Sequence, residues 1–88
     1  MKIVLSGTML RFTNYNRKIE VEATNISNAI QSLTAAYPSV KKILLDGAGN
    51  VRSVHRLFLN SEMISEADMQ RPLKPDDQLD IITAVAGG

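Results

Sequence analysis

The sequence predicts an α+β fold, a mixed β-sheet with one main helix packed on one face. Three observations carry this. Lys18 to Ala23 alternates cleanly, with Ile19, Val21 and Ala23 pointing one way and Lys18, Glu20 and Glu22 the other. Ile26, Ala29, Ile30, Leu33 and Tyr37 then recur at helical spacing and form one apolar stripe. Strand patterns return further on, at His55 to Asn60 and Gln78 to Ala84. A single stripe has to be buried, and a sheet face is the surface that the other segments supply.

The elements follow in order. Lys2 to Leu5 is a short apolar run with β-branched residues, a first strand. Thr13-Asn14-Tyr15-Asn16 has turn chemistry, and Lys18 to Ala23 pairs with the first strand as a hairpin. Asn25 is the helix N-cap, since its side-chain oxygen can accept an orphan backbone N–H. Pro38 stops the helix at Tyr37. Val40 to Leu45 is compatible with a strand or with a second short helix, and Asp46 to Asn50 is a loop. In the strand His55 to Asn60, Leu57 and Leu59 share one face and Phe58 takes the other. Asn60-Ser61-Glu62 is a turn into a brief return strand at Met63-Ile64, and Ser65 to Asp68 can open one helical turn. Leu73 to Asp77 turns into the last strand, where Leu79 and Ile81 share a face opposite Asp80 and Ile82. A hairpin, a helix and later strands in this order make the ubiquitin-like β-grasp layout. Residues 1–84 are expected to form that domain and residues 85–88 a flexible C-terminal tail.

Composition narrows the function classes. The 88 residues suffice for one small domain. With 44% hydrophobic and 22% charged residues, the chain is globular rather than disordered. A net charge of +1 gives no long-range field that would favour nucleic acid or an acidic membrane surface. The absence of cysteine excludes a disulfide framework, a thiolate zinc site and a cysteine nucleophile, and fits a cytoplasmic protein. The apolar run at Ile3 to Leu5 is too short for a signal sequence or a membrane span, which argues against secretion and membrane insertion.

The body of the chain offers no catalytic residues. His55 is the single histidine, with Ser53 as the only nearby nucleophile and no acidic neighbour in sequence to orient it, so it reads as a structural or surface residue. One histidine without cysteine is too few ligands for zinc, and no metal site is expected. Gly47-Ala48-Gly49 lacks the third glycine of a phosphate loop, where Arg52 stands instead, and reads as a plain loop. Asp76-Asp77 at a turn is read as solvated rather than cation-binding.

The remaining signal is Val85-Ala86-Gly87-Gly88. Glycine has no Cβ, so Gly87 lets the backbone lie flat in a narrow channel and gives access to the carboxylate of Gly88. These four residues reach roughly 13–14 Å at about 3.3–3.6 Å each. A carboxylate is a poor electrophile, but an acyl-adenylate carries a good leaving group. A sulfur donor can displace AMP from it and leave a thiocarboxylate tethered to a protein. The other open readings are a frayed terminus and a binding module with an inert tail.

At these residues the chain resembles the ThiS/MoaD family of sulfur carriers. Leu73 to Gly88 looks like the family's terminal strand and tail, Leu57-Phe58-Leu59-Asn60-Ser61-Glu62 like its apolar strand ending in Asn and a short acidic turn, and Leu33-Thr34-Ala35-Ala36-Tyr37-Pro38 like the end of its helix. Within the family, Leu44 to Gly47 through Val54 to Leu57 looks most like CysO-type carriers, which serve cysteine formation, with close relatives serving siderophores and other natural products. The resemblance implies a carrier rather than an enzyme, with Gly88 as the adenylation and thiocarboxylate site and no bound cofactor. ATP would be used by a ubiquitin-activating-like adenylyltransferase, with a sulfur donor and a downstream sulfur-accepting synthase as further partners. Phe58 and Ile82, on the face opposite the helix, would dock such a partner, or else serve ordinary strand packing. A molybdopterin synthase small subunit and a ubiquitin-like modifier forming isopeptide bonds are the alternatives. Two departures stand out: Pro75-Asp76-Asp77 replaces the family's usual Gly-Asp turn, and Thr83 stands where a proline is common, which predicts a less rigid exit into the tail.

Overall fold

The computed structural model describes residues 1–83. The chain forms β1 (Lys2–Leu5), a 3-10 helix (Gly7–Phe12), β2 (Lys18–Glu20), α1 (Ile26–Ala36), α2 (Pro38–Leu44), β3 (His55–Leu59), β4 (Glu62–Ile64), a second 3-10 turn (Glu66–Asp68) and β5 (Gln78–Thr83). The strands make one mixed sheet in the order β2-β1-β5-β3-β4. β5 is central, parallel to β1 through Leu5↔Ile81 and antiparallel to β3 through Leu57↔Ile81. This is the β-grasp arrangement that the element order predicts.

Alternation decides which sheet face meets the helix. Ile3, Leu5, Ile19, Leu57, Leu59, Leu79 and Ile81 are buried on one face, and Ile26, Ala29, Ile30 and Leu33 of α1 are buried against them. Asn25 caps α1, its Oδ1 accepting the Asn28 backbone N–H at 2.7 Å. Pro38 does end α1, and it also begins α2 as the first residue of a new helix, where its missing N–H is not needed. That resolves the ambiguous 40–45 segment as helix: Val40 and Leu44, four residues apart, are both fully buried.

Two boundaries differ from expectation. β2 stops at Glu20 rather than Ala23, because β1 supplies ladder partners only as far as Met1, whose carbonyl accepts the Val21 N–H at 3.0 Å. The β1–β2 connection is no simple turn. Gly7, at φ +64°, opens a 3-10 helix that buries Met9, and Thr13 is fully buried with its hydroxyl donating to the Asn16 carbonyl at 3.1 Å. The 59–62 turn is a two-residue hairpin with Asn60 and Ser61 both at positive φ (51° and 71°), the mirror-type geometry that suits the twist of the flanking strands.

Candidate functional site

The terminal strand organises the site. β5 is flanked on both sides, so its backbone is fixed by two ladders up to Ile81 and by β3 alone at Ile82 and Thr83. Its register places Asp80 beside Val4 and Phe58, and Ile82 beside Arg56. Phe58 in turn faces Met63 of β4. Val4, Phe58, Met63 and Ile82 therefore share the sheet face turned away from α1, with Lys2, Lys18, Arg56 and Asp80 among them.

Phe58 and Ile82 are brought together as diagonal neighbours on adjacent strands, a spacing of roughly 7–8 Å. Ile82 is 44% and Met63 61% exposed, while Phe58 is half-buried between its neighbours. Phe58, Met63 and Ile82, with Val4, form an apolar patch with a charged border on a sheet face that no helix covers among the described residues. Sequence reading found Phe58 and Ile82 but missed Met63 and Val4. Period-two alternation gives the signal for both: Val4 lies between buried Ile3 and Leu5, and Met63 falls opposite Phe58 once the hairpin register is known. Arg56, next to Ile82, is held by its guanidinium donating to the Ser53 carbonyl. Gln78 Nε2 donates to Asp80 Oδ1 at 2.9 Å on the same face.

His55 is buried, on the inner face of β3. Its Nε2 lies 2.7 Å from the Ile43 carbonyl and its Nδ1 3.1 Å from the Thr83 hydroxyl. Both ring nitrogens are engaged by groups of the fold, which makes the residue structural. Asp76 and Asp77 have separate surroundings. Asp77 accepts the Lys74 N–H at 2.8 Å and the Asn60 side-chain amide at 2.9 Å, and these two bonds, in that order of weight, hold its carboxyl below the ordinary value. Gly47 to Gly49 sit in a loop closed by Asp46, whose Oδ1 accepts the Ala48 and Asn50 N–H groups. Among the described residues no group of three or more His, Asp or Glu side chains is placed to hold a metal ion, and no helix is long and apolar enough to cross a membrane. Gly87 and Gly88 lie outside the described residues.

A five-stranded mixed sheet with α1 across one face and the C-terminal strand at its centre defines a ubiquitin-like β-grasp protein. The sequence matches the ThiS family over residues 4–88, and the chain belongs to that family, whose members are small carrier proteins rather than enzymes. No curated protein sequence matches it. Among solved structures, it is similar to the Amycolatopsis orientalis BexX/CysO complex at 19% identity and a TM-score of 0.84, covering 99% of this chain and 98% of that one. The Haloferax volcanii small archaeal modifier protein 1 matches at 16% identity and 0.81, covering 97% of each chain. The complex of subunits 1 and 2 of the molybdopterin-converting factor from Helicobacter pylori matches at 17% and 0.64, covering 99% of this chain and 96% of that one. Likeness at these identities is a likeness of fold.

Proposed function

We propose that this protein is a cytoplasmic sulfur carrier whose Gly88 carboxylate is adenylated and then converted to a thiocarboxylate that donates sulfur in biosynthesis. The observation that carries this reading is that the ThiS-family match runs through residue 88 and so takes in Gly87-Gly88 just beyond β5. Residues 1–84 serve as the recognised body, and residues 85–88 as the segment that reaches the partner's active site. In the first step a Gly88 carboxylate oxygen attacks the α-phosphorus of ATP and pyrophosphate leaves. A sulfide-equivalent nucleophile then attacks the acyl carbon, and AMP departs with the former carboxylate oxygen. The carrier binds no cofactor of its own. ATP belongs to a ubiquitin-activating-like adenylyltransferase, and the thiocarboxylate passes to a sulfur-accepting synthase, in cysteine, siderophore or a similar synthesis. Phe58 and Ile82, with Met63, dock the adenylyltransferase. Two of the similar folds were solved as complexes with protein partners, which supports a protein-docking role for this one.

A second reading is a protein modifier, favoured by the name of the Haloferax volcanii neighbour. Both readings need adenylation and differ in the nucleophile that follows. ATP–pyrophosphate exchange by the adenylyltransferase, present with the full chain and abolished by deletion of Gly88, supports both readings. Sulfur transfer to a small molecule without protein conjugates then selects the carrier, and isopeptide conjugates select the modifier. Exchange that is indifferent to Gly88 contradicts both readings.

A further inference from the structure

The environment of His55 joins three elements where β5 ends. His55 starts β3, Thr83 ends the described part of β5, and the two residues face each other in the ladder. The Ile43 carbonyl belongs to the last turn of α2, where helical carbonyls have no N–H ahead of them. A carbonyl only accepts, so the proton of the neutral imidazole sits on Nε2 and is donated to Ile43 at 2.7 Å. Nδ1 is then a bare acceptor, and the Thr83 hydroxyl donates to it at 3.1 Å. His55 is only 8% exposed, so the hydroxyl bond is partly shielded from competing water. The sequence argument expects a looser exit because Thr83 replaces a proline. Its hydroxyl instead supplies a tie of a different kind, from the side chain rather than the ring.

Resting on the carrier reading above, we infer that His55 and Thr83 are positioning residues for the terminal segment: the imidazole fastens the residue to which residues 84–88 are attached. Those five residues span at most about 16–18 Å at about 3.3–3.6 Å each. Without the hydroxyl bond, Thr83 is held only by its place opposite His55 at the end of the β3 ladder, and fraying of that last position moves the anchored origin back by about 3.3–3.6 Å. Reacting groups lose rate when misplaced by about 1 Å, so a floating origin lowers the fraction of docked complexes that present the carboxylate correctly.

The two ring nitrogens allow the latch to be separated from the capping of α2. Thr83→Val removes the hydroxyl, keeps the β-branched shape and leaves the His55–Ile43 bond in place; Thr83→Ser keeps the hydroxyl. Native-state amide exchange at Ile82, which pairs with Arg56 in the β3 ladder next to Thr83, is read on each full-length chain, together with kcat and KM for adenylation by the cognate adenylyltransferase. The expected result is faster exchange at Ile82 in Thr83→Val with core amides still protected, kcat lower by about ten-fold with KM little changed, and both restored in Thr83→Ser. Unchanged exchange at Ile82 overturns the latch. Faster exchange with unchanged kcat overturns the positioning role. If the wild-type chain is not adenylated at all, the carrier reading fails, the positioning role falls with it, and the exchange result still decides whether the latch exists.

Discussion

Asn60 and Asp77 hold each other across one end of the sheet, with Asn60 Nδ2 donating to Asp77 Oδ1 at 2.9 Å. Asn60 also bonds Gln78 twice, donating its backbone N–H to the Gln78 carbonyl at 2.9 Å and accepting the Gln78 N–H on Oδ1 at 3.0 Å. A hairpin residue at φ 51° thus pins the β3–β4 turn to the start of the central strand. Asn60→Ala loses these side-chain bonds and strains the positive φ, so urea unfolding should show a loss of about 1–3 kcal/mol. Asn60→Gly keeps the permitted φ and should lose less. Equal midpoints for wild type and Asn60→Ala would contradict this account of the turn.

Asp77 also gives the turn a pH dependence. The Lys74 N–H and then the Asn60 amide depress its carboxyl below the ordinary 3.8. The folded value lies below the unfolded one, so the stability it contributes is complete above about pH 3.8 and is lost as pH falls through the folded value. The stability gap between wild type and Asp77→Asn should therefore be wider at about pH 7 than at about pH 2. A gap independent of pH would contradict the assignment.

The N-cap of α1 makes a local prediction. Asn25 Oδ1 satisfies the Asn28 N–H at 2.7 Å, and its Nδ2 donates to Gln70 Oε1 at 3.2 Å. Asn25→Ala should cost about 1 kcal/mol, and Asn25→Asp, which keeps the cap acceptor, much less. In a chain of this size, 1 kcal/mol corresponds to a Tm shift of about 4–8 °C, readable by circular dichroism.

Ile81 and Ile82 are adjacent in sequence and opposite in role. Ile81 is fully buried under α1, and Ile82 lies on the open face. Ile81→Ala should destabilise by about 2–5 kcal/mol. Ile82→Ala should change stability by no more than about 0.5 kcal/mol while weakening adenylyltransferase binding in calorimetry, as should Phe58→Ala. Wild-type affinity in a folded Ile82→Ala would remove the docking patch from the account.

Much of this was legible in sequence because alternation and helical spacing report burial directly. Ile19, the α1 stripe, Leu57 and Leu59, and Leu79 and Ile81 all point where their periods place them. What was not legible depended on contacts between distant segments. The 3-10 helix burying Met9 has neither period, and His55 acquires its role only when α2 and Thr83 fold against it. The bond between Asp77 and Asn60 joins residues 17 apart, so the turn carboxylate, read in sequence only as solvated, also has a structural role that sequence does not show. Gly88 is a different case: its proposed role is read from the sequence alone, and the residue lies outside the described residues.

The most direct measurement of the central claim is the intact mass of the full chain after incubation with ATP, its adenylyltransferase and a sulfide source. The account predicts an increase equal to the exchange of one oxygen for one sulfur, localised by fragmentation to Gly88 and absent when Gly88 is deleted. An unchanged mass alongside an adenylyltransferase shown to be active on this chain would contradict it.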